Sequence, residues 1–262
     1  MDDKDVRNCW EANAEAWTAM SRQGYDRCRD LFNTPTFMRI LPEVKGLRGL
    51  DIGCGEGHNT RLLAGSGATM TGIDIAPTFV RYAQEAEREH PLGITYLEAT
   101  ASCLPFADQQ FDFATAFMSL QDIPDQEGAL REVFRVLRPR GFFQFSIIHP
   151  CFQTPKFGWV RDDEGRKVAI TVGDYFRDPS CRVDEWTFGA APQELKNQYP
   201  KFKTPYFEHT LSGWLNMLLK AGFQLEAFAE PTPDDETLRK HPEERDARLF
   251  AYFLIVRCRK PC

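Results

Sequence analysis

The sequence has no long apolar run. The longest, Leu249 to Val256, holds eight residues, far short of the roughly 20 needed for a membrane-crossing helix, so no membrane span is expected. Its eight cysteines include no Cys-x-x-Cys pair and no His-x3-His accompanies them. A zinc site is therefore not expected, the metal expectation is none, and Cys54 and Cys103 are expected as reduced thiols in the core. A basic excess is also missing: 32 Lys+Arg stand against 38 Asp+Glu, a net charge of −6, and no Lys/Arg run exceeds two residues, which disfavours a nucleic-acid partner. The opening Met-Asp-Asp-Lys-Asp carries neither a basic n-region nor an apolar h-region, so the expected compartment is the cytoplasm. With 42% hydrophobic and 13% aromatic residues and no low-complexity tract, the chain falls outside the disordered and collagenous classes. Its 262 residues suit one large α/β domain or two small ones.

From residue 47 onward, short apolar runs alternate with helical patterns, the signature of βαβ units and a mostly parallel sheet. Strands are expected at Leu47–Ile52, Thr69–Asp74, Ile94–Glu98, Phe111–Phe117, Gly141–Ile148, Phe223–Glu230 and Leu249–Arg257. Phe79, Ala83 and Ala86 keep helical spacing, as do Leu130, Val133, Phe134 and Leu137, and predict amphipathic helices covering the sheet. Leu211, Trp214, Leu215, Leu218 and Leu219 form another apolar stripe, stopped by Gly222. Two regions stand outside the alternation: an N-terminal segment with Trp10, Ala14 and Trp17 on one helical face, and an aromatic, Pro- and Gly-rich stretch after the fifth strand. Insertions of the second kind form lids or binding walls. The expected partition is a single domain: a helical cap at 1–45, a core at 46–150, a substrate lid at 151–209, and a helix with the last two strands at 210–262.

The strongest local signal is Leu50-Asp51-Ile52-Gly53-Cys54-Gly55-Glu56-Gly57, directly after a strand and before a helix. Glycines there permit positive φ and let a ligand lie against main-chain N–H groups at the mouth of a sheet. The spacing is G-x-G-x-G, with His58 following, rather than the G-x-G-x-x-G of dinucleotide folds, which argues against a pyrophosphate and so against a nucleotide-cofactor oxidoreductase. Asp74 ends the second strand, where a carboxylate accepts ribose hydroxyls; capping the next helix before Pro77 is the alternative. Asp51, at the sheet edge, suits a ligand ammonium group.

These residues closely resemble the class I S-adenosylmethionine-dependent methyltransferases, in particular the small-molecule group that includes quinone-biosynthesis enzymes. The resemblance covers roughly 47–150 and extends more loosely to the C-terminus. Leu104-Pro105-Phe106, Gln110-Phe111-Asp112 and Arg135-Val136-Leu137-Arg138-Pro139-Arg140-Gly141 are similar to later landmarks of the same group. The resemblance implies a seven-stranded, mostly parallel sheet with helices on both faces and its last strand antiparallel. It implies S-adenosylmethionine as cofactor, with S-adenosylhomocysteine as product. By position it places Asp51, Gly53, Cys54 and Gly55 around the methionine part, Asp74 on ribose, Ile75 against adenine, Ala101 with its N–H on the adenine ring, and Met118 and Ser119 beside the methionine moiety. It also places Thr100 in the cofactor site, at a position where the family commonly carries Asp, and the chain has Pro139-Arg140-Gly141 where the family has Pro-Gly-Gly.

Methyl transfer needs alignment and removal of water more than an enzymic nucleophile. Trp17 and Tyr25 are candidates for closing the site. His149, at the end of the fifth strand, is the candidate general base, with a plain loop histidine as the alternative. Asp122 either orients substrate or caps a helix, and His209 either reaches the acceptor or starts a helix. Arg29 and Arg39 are candidates for an anionic group, or solvated surface. The expected activity is transfer of a methyl group to an O, N or C atom of a small-molecule acceptor. A non-catalytic S-adenosylmethionine-binding protein remains an alternative, and acceptor identity and oligomeric state are open.

Overall fold

The computed structural model describes residues 1–176 and 181–262. The chain opens with helix α1 (Asp3–Ser21), whose start is fixed by a reciprocal cap. The Asp2 carboxylate accepts the Asp5 N–H at 2.9 Å while the Asp5 carboxylate accepts the Asp2 N–H at 3.3 Å. A π-helical turn (Arg29–Asn33) leads into α2 (Thr34–Ile40). The alternating part follows as β1 (Arg48–Ile52), α3 (His58–Gly65), β2 (Thr69–Asp74), α4 (Pro77–Glu89), β3 (Thr95–Glu98), β4 (Phe111–Phe117), α5 (Gln126–Val136) and β5 (Leu137–Ile148). After an insertion the chain returns through α7 (Leu211–Lys220), β10 (Gln224–Ala229), α8 (Asp235–Lys240) and β11 (Phe253–Arg259). The insertion holds β6 (Gly158–Arg161), β7 (Lys167–Thr171), β8 (Cys181–Trp186), α6 (Gln193–Lys196) and β9 (Phe202–Phe207).

Seven strands make one sheet in the order β10-β11-β5-β4-β1-β2-β3. β1 to β5 pair in parallel, whereas β11 runs antiparallel to β5 and to β10. The expected seven-stranded α/β fold with its antiparallel last strand is thus the observed one. The strand order reverses at β1 and β4, and in open sheets of this kind the crevice outside the strand tips at that reversal is where ligands bind.

Helices cover both faces. On one, Leu50, Ala116, Phe145 and Val256 pack with Leu130 and Val133 of α5 and Trp214 and Leu218 of α7. On the other, Met70, Phe113 and Phe142 pack with Leu63 of α3 and Val80 and Ala83 of α4. The second layer is tight enough to require a residue without a side chain. A Cβ on Gly49 would lie 2.3 Å from Phe113 Cζ and 2.5 Å from Met70 Sδ. Gly49→Ala is expected to cost about 2 kcal/mol by overpacking, read as a lower urea midpoint at unchanged slope.

Several boundaries differ from expectation for local reasons. β5 begins at Leu137 rather than Gly141 because Pro139-Arg140-Gly141 forms an irregularity within the strand. The pairing jumps from Phe111↔Leu137 to Phe113↔Phe142, and Arg140 takes φ +68, a conformation usually left to glycine. The last strand starts at Phe253 rather than Leu249, since a 3-10 turn occupies Pro242–Arg248. Cys54 is buried as expected, but Cys103 is exposed; Leu104 beside it fills the core instead.

The insertion, expected only as an aromatic lid, contains two antiparallel ribbons, β6 with β7 and β8 with β9. Helix α1 docks on the second: Asn13 Nδ2 donates to the Lys203 carbonyl at 2.9 Å and Asn13 Oδ1 accepts the Lys203 N–H at 3.0 Å. Trp17 of α1 meets Trp186, Phe188 and Phe202 with ring centroids 5.5, 4.9 and 5.1 Å away. Among the described residues, no helix is long and apolar enough to cross a membrane.

Candidate active site

A cavity of about 1040 Å³ lies over the tips of β1, β2 and β4, between the sheet, α1 and the β8–β9 ribbon. Its floor is the glycine loop. Gly53 has φ +66, and a Cβ there would fall 2.4 Å from Ser119 Cβ, so the loop can approach the β4 tip only as glycine. Ser119 closes that contact by donating its hydroxyl to the Ile52 carbonyl at 2.6 Å. Gly55 is the opposite case: φ is +54, yet a Cβ would meet nothing within 4 Å. Gly55 lines the cavity and leaves room for a ligand against the backbone.

Two acids hold this loop. The Asp74 carboxylate accepts the Gly55 N–H at 2.8 Å and the Ala76 N–H at 2.9 Å, so it fixes both the glycine turn and the entry to α4, and Cys54 N–H bonds the Ile73 carbonyl at 2.9 Å. Asp51 is 1% exposed and accepts the hydroxyls of Thr60 at 2.6 Å and Thr115 at 2.8 Å. Burial dominates these bonds and pushes both carboxyls up to about 6. In the unfolded chain they ionise near 3.8. Between those values the folded state binds more protons, so each acid subtracts stability as pH rises from about 4 to about 6, on the order of 1 kcal/mol per pH unit. In denaturant titrations of the ligand-free protein, Asp51→Asn is therefore expected to gain on the wild type as pH rises through that window. A constant difference would show that Asp51 is not a raised acid.

Asp51, Gly53, Cys54, Gly55, Asp74, Ile75, Thr100, Ala101, Met118 and Ser119 all line this one cavity, as do Trp17, Tyr25 and Asp122. Met118 takes φ +55, its N–H bound by the Ser146 carbonyl at 3.0 Å and the Ser146 hydroxyl at 3.2 Å. Asp122 is 9% exposed, and burial, reinforced by Asp74 and Asp184, pushes its carboxyl well above the usual range.

Two predicted residues are not brought to the cavity. His149 is 4% exposed and both ring nitrogens are engaged. Nδ1 accepts the Cys151 N–H at 3.2 Å, which leaves Nε2 to donate to Glu230 Oε1 at 3.0 Å. Burial lowers its pKa against the pull of Glu230. His209 sits where α7 begins, edge-on to Trp214 with ring centroids 5.5 Å apart, and lies outside the lining. Of the two arginines, Arg39 stays outside. Arg29 lines the cavity, where Asp30 binds it at 2.7 Å and Glu56 lies 3.6 Å away.

The structure adds residues that the sequence did not single out. Asn33 and Gln121 are buried in the lining, and their Oδ1 and Oε1 atoms have no hydrogen-bond partner among the described residues. Asn33 Nδ2 is held by the Ser146 hydroxyl at 3.4 Å and Gln121 Nε2 by the Met118 carbonyl. Both amides thus flank Met118, and two buried acceptors ask for N–H or O–H donors from a ligand. No local pattern marks Asn33; its partner Ser146 is 113 residues away.

The residues fit a cationic nucleoside donor such as S-adenosylmethionine. A glycine backbone borders open space, carboxylates stand at the sheet edge, and acids outnumber Arg and Lys eleven to three in the lining. Comparison with known proteins points the same way. Residues 50–145 match a methyltransferase domain family. The ubiquinone biosynthesis O-methyltransferase of Pseudomonas fluorescens is 34% identical over 119 residues, 44% of this chain and 51% of that protein. The malonyl-[acyl-carrier protein] O-methyltransferase of Pectobacterium atrosepticum is 32% identical over 126 residues, 47% of this chain and 48% of its own. The chain thus spans about half the length of these curated relatives. A crystal structure of an S-adenosylmethionine-dependent methyltransferase from Mesorhizobium loti superposes with a TM-score of 0.70 at 29% identity, covering 86% of this chain and 96% of that one. The sheet order, the glycine loop and these matches together give the chain the class I S-adenosylmethionine-dependent methyltransferase fold, with a methyltransferase domain over residues 50–145.

Proposed function

We propose that this protein transfers a methyl group from S-adenosylmethionine to an O, N or C atom of a small-molecule acceptor, in the cytoplasm and without a metal or nucleic acid. The observation that carries the reading is that all ten residues expected around the donor line one cavity at the strand-order reversal. When bound, S-adenosylmethionine supplies a methyl group already activated on a sulfonium.

The chain's own residues then have three tasks. Asp74, already aligned by two backbone N–H groups, keeps lone pairs free for ribose hydroxyls. Asp51, Gly53, Cys54, Gly55, Met118 and Ser119 would border the methionine part, and Ile75 and Ala101 the adenine. Trp17 and Tyr25, with the β8–β9 ribbon, exclude water from a site where a positive charge is lost on reaction. The acceptor would meet the unpartnered oxygens of Asn33 and Gln121, so it carries an N–H or O–H group. Asp122, on the cavity wall, takes its proton in place of His149. The cap at 1–45 and the lid at 151–209 close over the core at 46–150, with 210–262 completing the sheet.

Incubation with methyl-labelled S-adenosylmethionine and a panel of phenols, amines and carboxylic acids tests this. Label should pass to at least one acceptor with an equal amount of S-adenosylhomocysteine released. Tight donor binding with no transfer across the panel would favour the non-catalytic binding protein instead.

A further inference from the structure

Beyond Asp74 the cavity ends in an apolar slot. Ile75 and Phe79 line it from the β2–α4 side, Ala99 and Ala101 from the loop after β3, and Val6 and Trp10 from α1. Asp3, from the start of the chain, brings a carboxylate to this end. Asp3 Oδ2 accepts the Thr100 hydroxyl at 2.7 Å and the Ser102 hydroxyl at 3.0 Å. Asp3 and Thr100 both line the cavity. Thr100 spends its hydroxyl proton on Asp3 and keeps only the lone pairs of an uncharged oxygen, a weaker acceptor for an N–H group than the carboxylate beside it.

The placement of Asp3 is built by more than its own bonds. Arg7, one helical turn on, pairs with Glu98 at 2.6 Å, and Glu11, a further turn on, accepts the Thr78 N–H at 3.0 Å and its hydroxyl at 2.7 Å. Residues 3, 7 and 11 share one helical face, so α1 is pinned along the ends of β3 and α4 with Asp3 over the slot. Oδ2 is occupied by the two hydroxyls, while Oδ1 accepts no hydrogen bond among the described residues.

We propose that Asp3, positioned by Thr100 and Ser102, is a base-reading residue of the donor site: its carboxylate accepts the exocyclic amine of adenine. This rests on the donor reading given above. A flat heterocycle fits an apolar slot next to a sugar-binding acid. A carboxylate at the rim accepts an N–H donor there and repels the lone pairs of a carbonyl oxygen in the same place. The N-terminal helix is then part of the cofactor site as well as a cover over it.

Calorimetry with S-adenosylhomocysteine and its deaminated analogue S-inosylhomocysteine tests the assignment in wild type, Asp3→Asn and Arg7→Ala. Wild type should prefer the adenosyl ligand at least tenfold. Asp3→Asn should bind it about tenfold more weakly while holding or improving its affinity for the inosyl ligand, so that the preference collapses. Arg7→Ala removes the pairing with Glu98 while Thr100 and Ser102 still hold the Asp3 carboxylate and Thr78 still holds Glu11, so it should keep the preference. Equal loss of both ligands in Asp3→Asn, or no loss of either, would overturn the assignment. If wild type binds neither ligand, the donor reading itself fails.

Discussion

Asp74→Ala is expected to lower affinity for S-adenosylhomocysteine about a hundredfold. The carboxylate does two things that alanine cannot. It takes the ribose hydroxyls of the proposed donor, and it holds the Gly55 and Ala76 N–H groups at 2.8 and 2.9 Å. Hydrogen bonds to a charged group are each worth about 1.5–3 kcal/mol, so losing the sugar contacts together with the set of the loop amounts to about 3 kcal/mol, or two decades in Kd. Asp74→Asn keeps one acceptor oxygen and should fall between the two. Asp74 is only fully an acceptor when ionised, and its pKa is pushed up to about 6, so wild-type affinity should also weaken as pH drops below that value. Calorimetry across pH 5–8 reads both effects, and a variant that binds as tightly as wild type would remove Asp74 from the sugar.

Asp122→Asn is expected to slow turnover about a hundredfold, within the range for loss of a positioned proton acceptor, and to leave S-adenosylhomocysteine binding within about twofold. The side chain is isosteric with the protonated carboxyl that burial favours, so the 3-10 turn at Leu120–Asp122 should keep its shape. Desolvation is the main cause of the raised pKa, and the neighbouring charges of Asp74 and Asp184 add to it. The wild-type rate should therefore climb with pH as Asp122 ionises, and the variant should lose that limb. A pH–rate profile of the same shape in both proteins would show that Asp122 only packs the wall.

The sheet and the glycine-loop side of the cavity were legible because their signals are local. A strand followed by Gly53-Cys54-Gly55 and a second strand ending in Asp74 fix both sequence and geometry within about 25 residues. What was not legible depends on contacts between distant segments. His149 stands at a strand tip as read, but Glu230, 81 residues on, captures its ring and turns it from the cavity. Asn33 and Gln121 become notable only when the Asn33 turn is laid against the β5 tip. The ribbon of β8 and β9 pairs Cys181–Trp186 with Phe202–Phe207 across a break in the chain pattern, with Pro205 inside the second strand, so no period announced it. Thr100 stands where the family commonly carries Asp; in space its hydroxyl is bonded to Asp3, 97 residues earlier.

Diffraction from crystals grown with S-adenosylhomocysteine tests the donor site most directly. The ligand should lie along Gly53–Gly55 with its ribose hydroxyls on Asp74 and its sulfur turned toward Met118, Asn33 and Gln121. Density for it anywhere else on the protein, or a ribose held by a residue other than Asp74, would contradict the assignment.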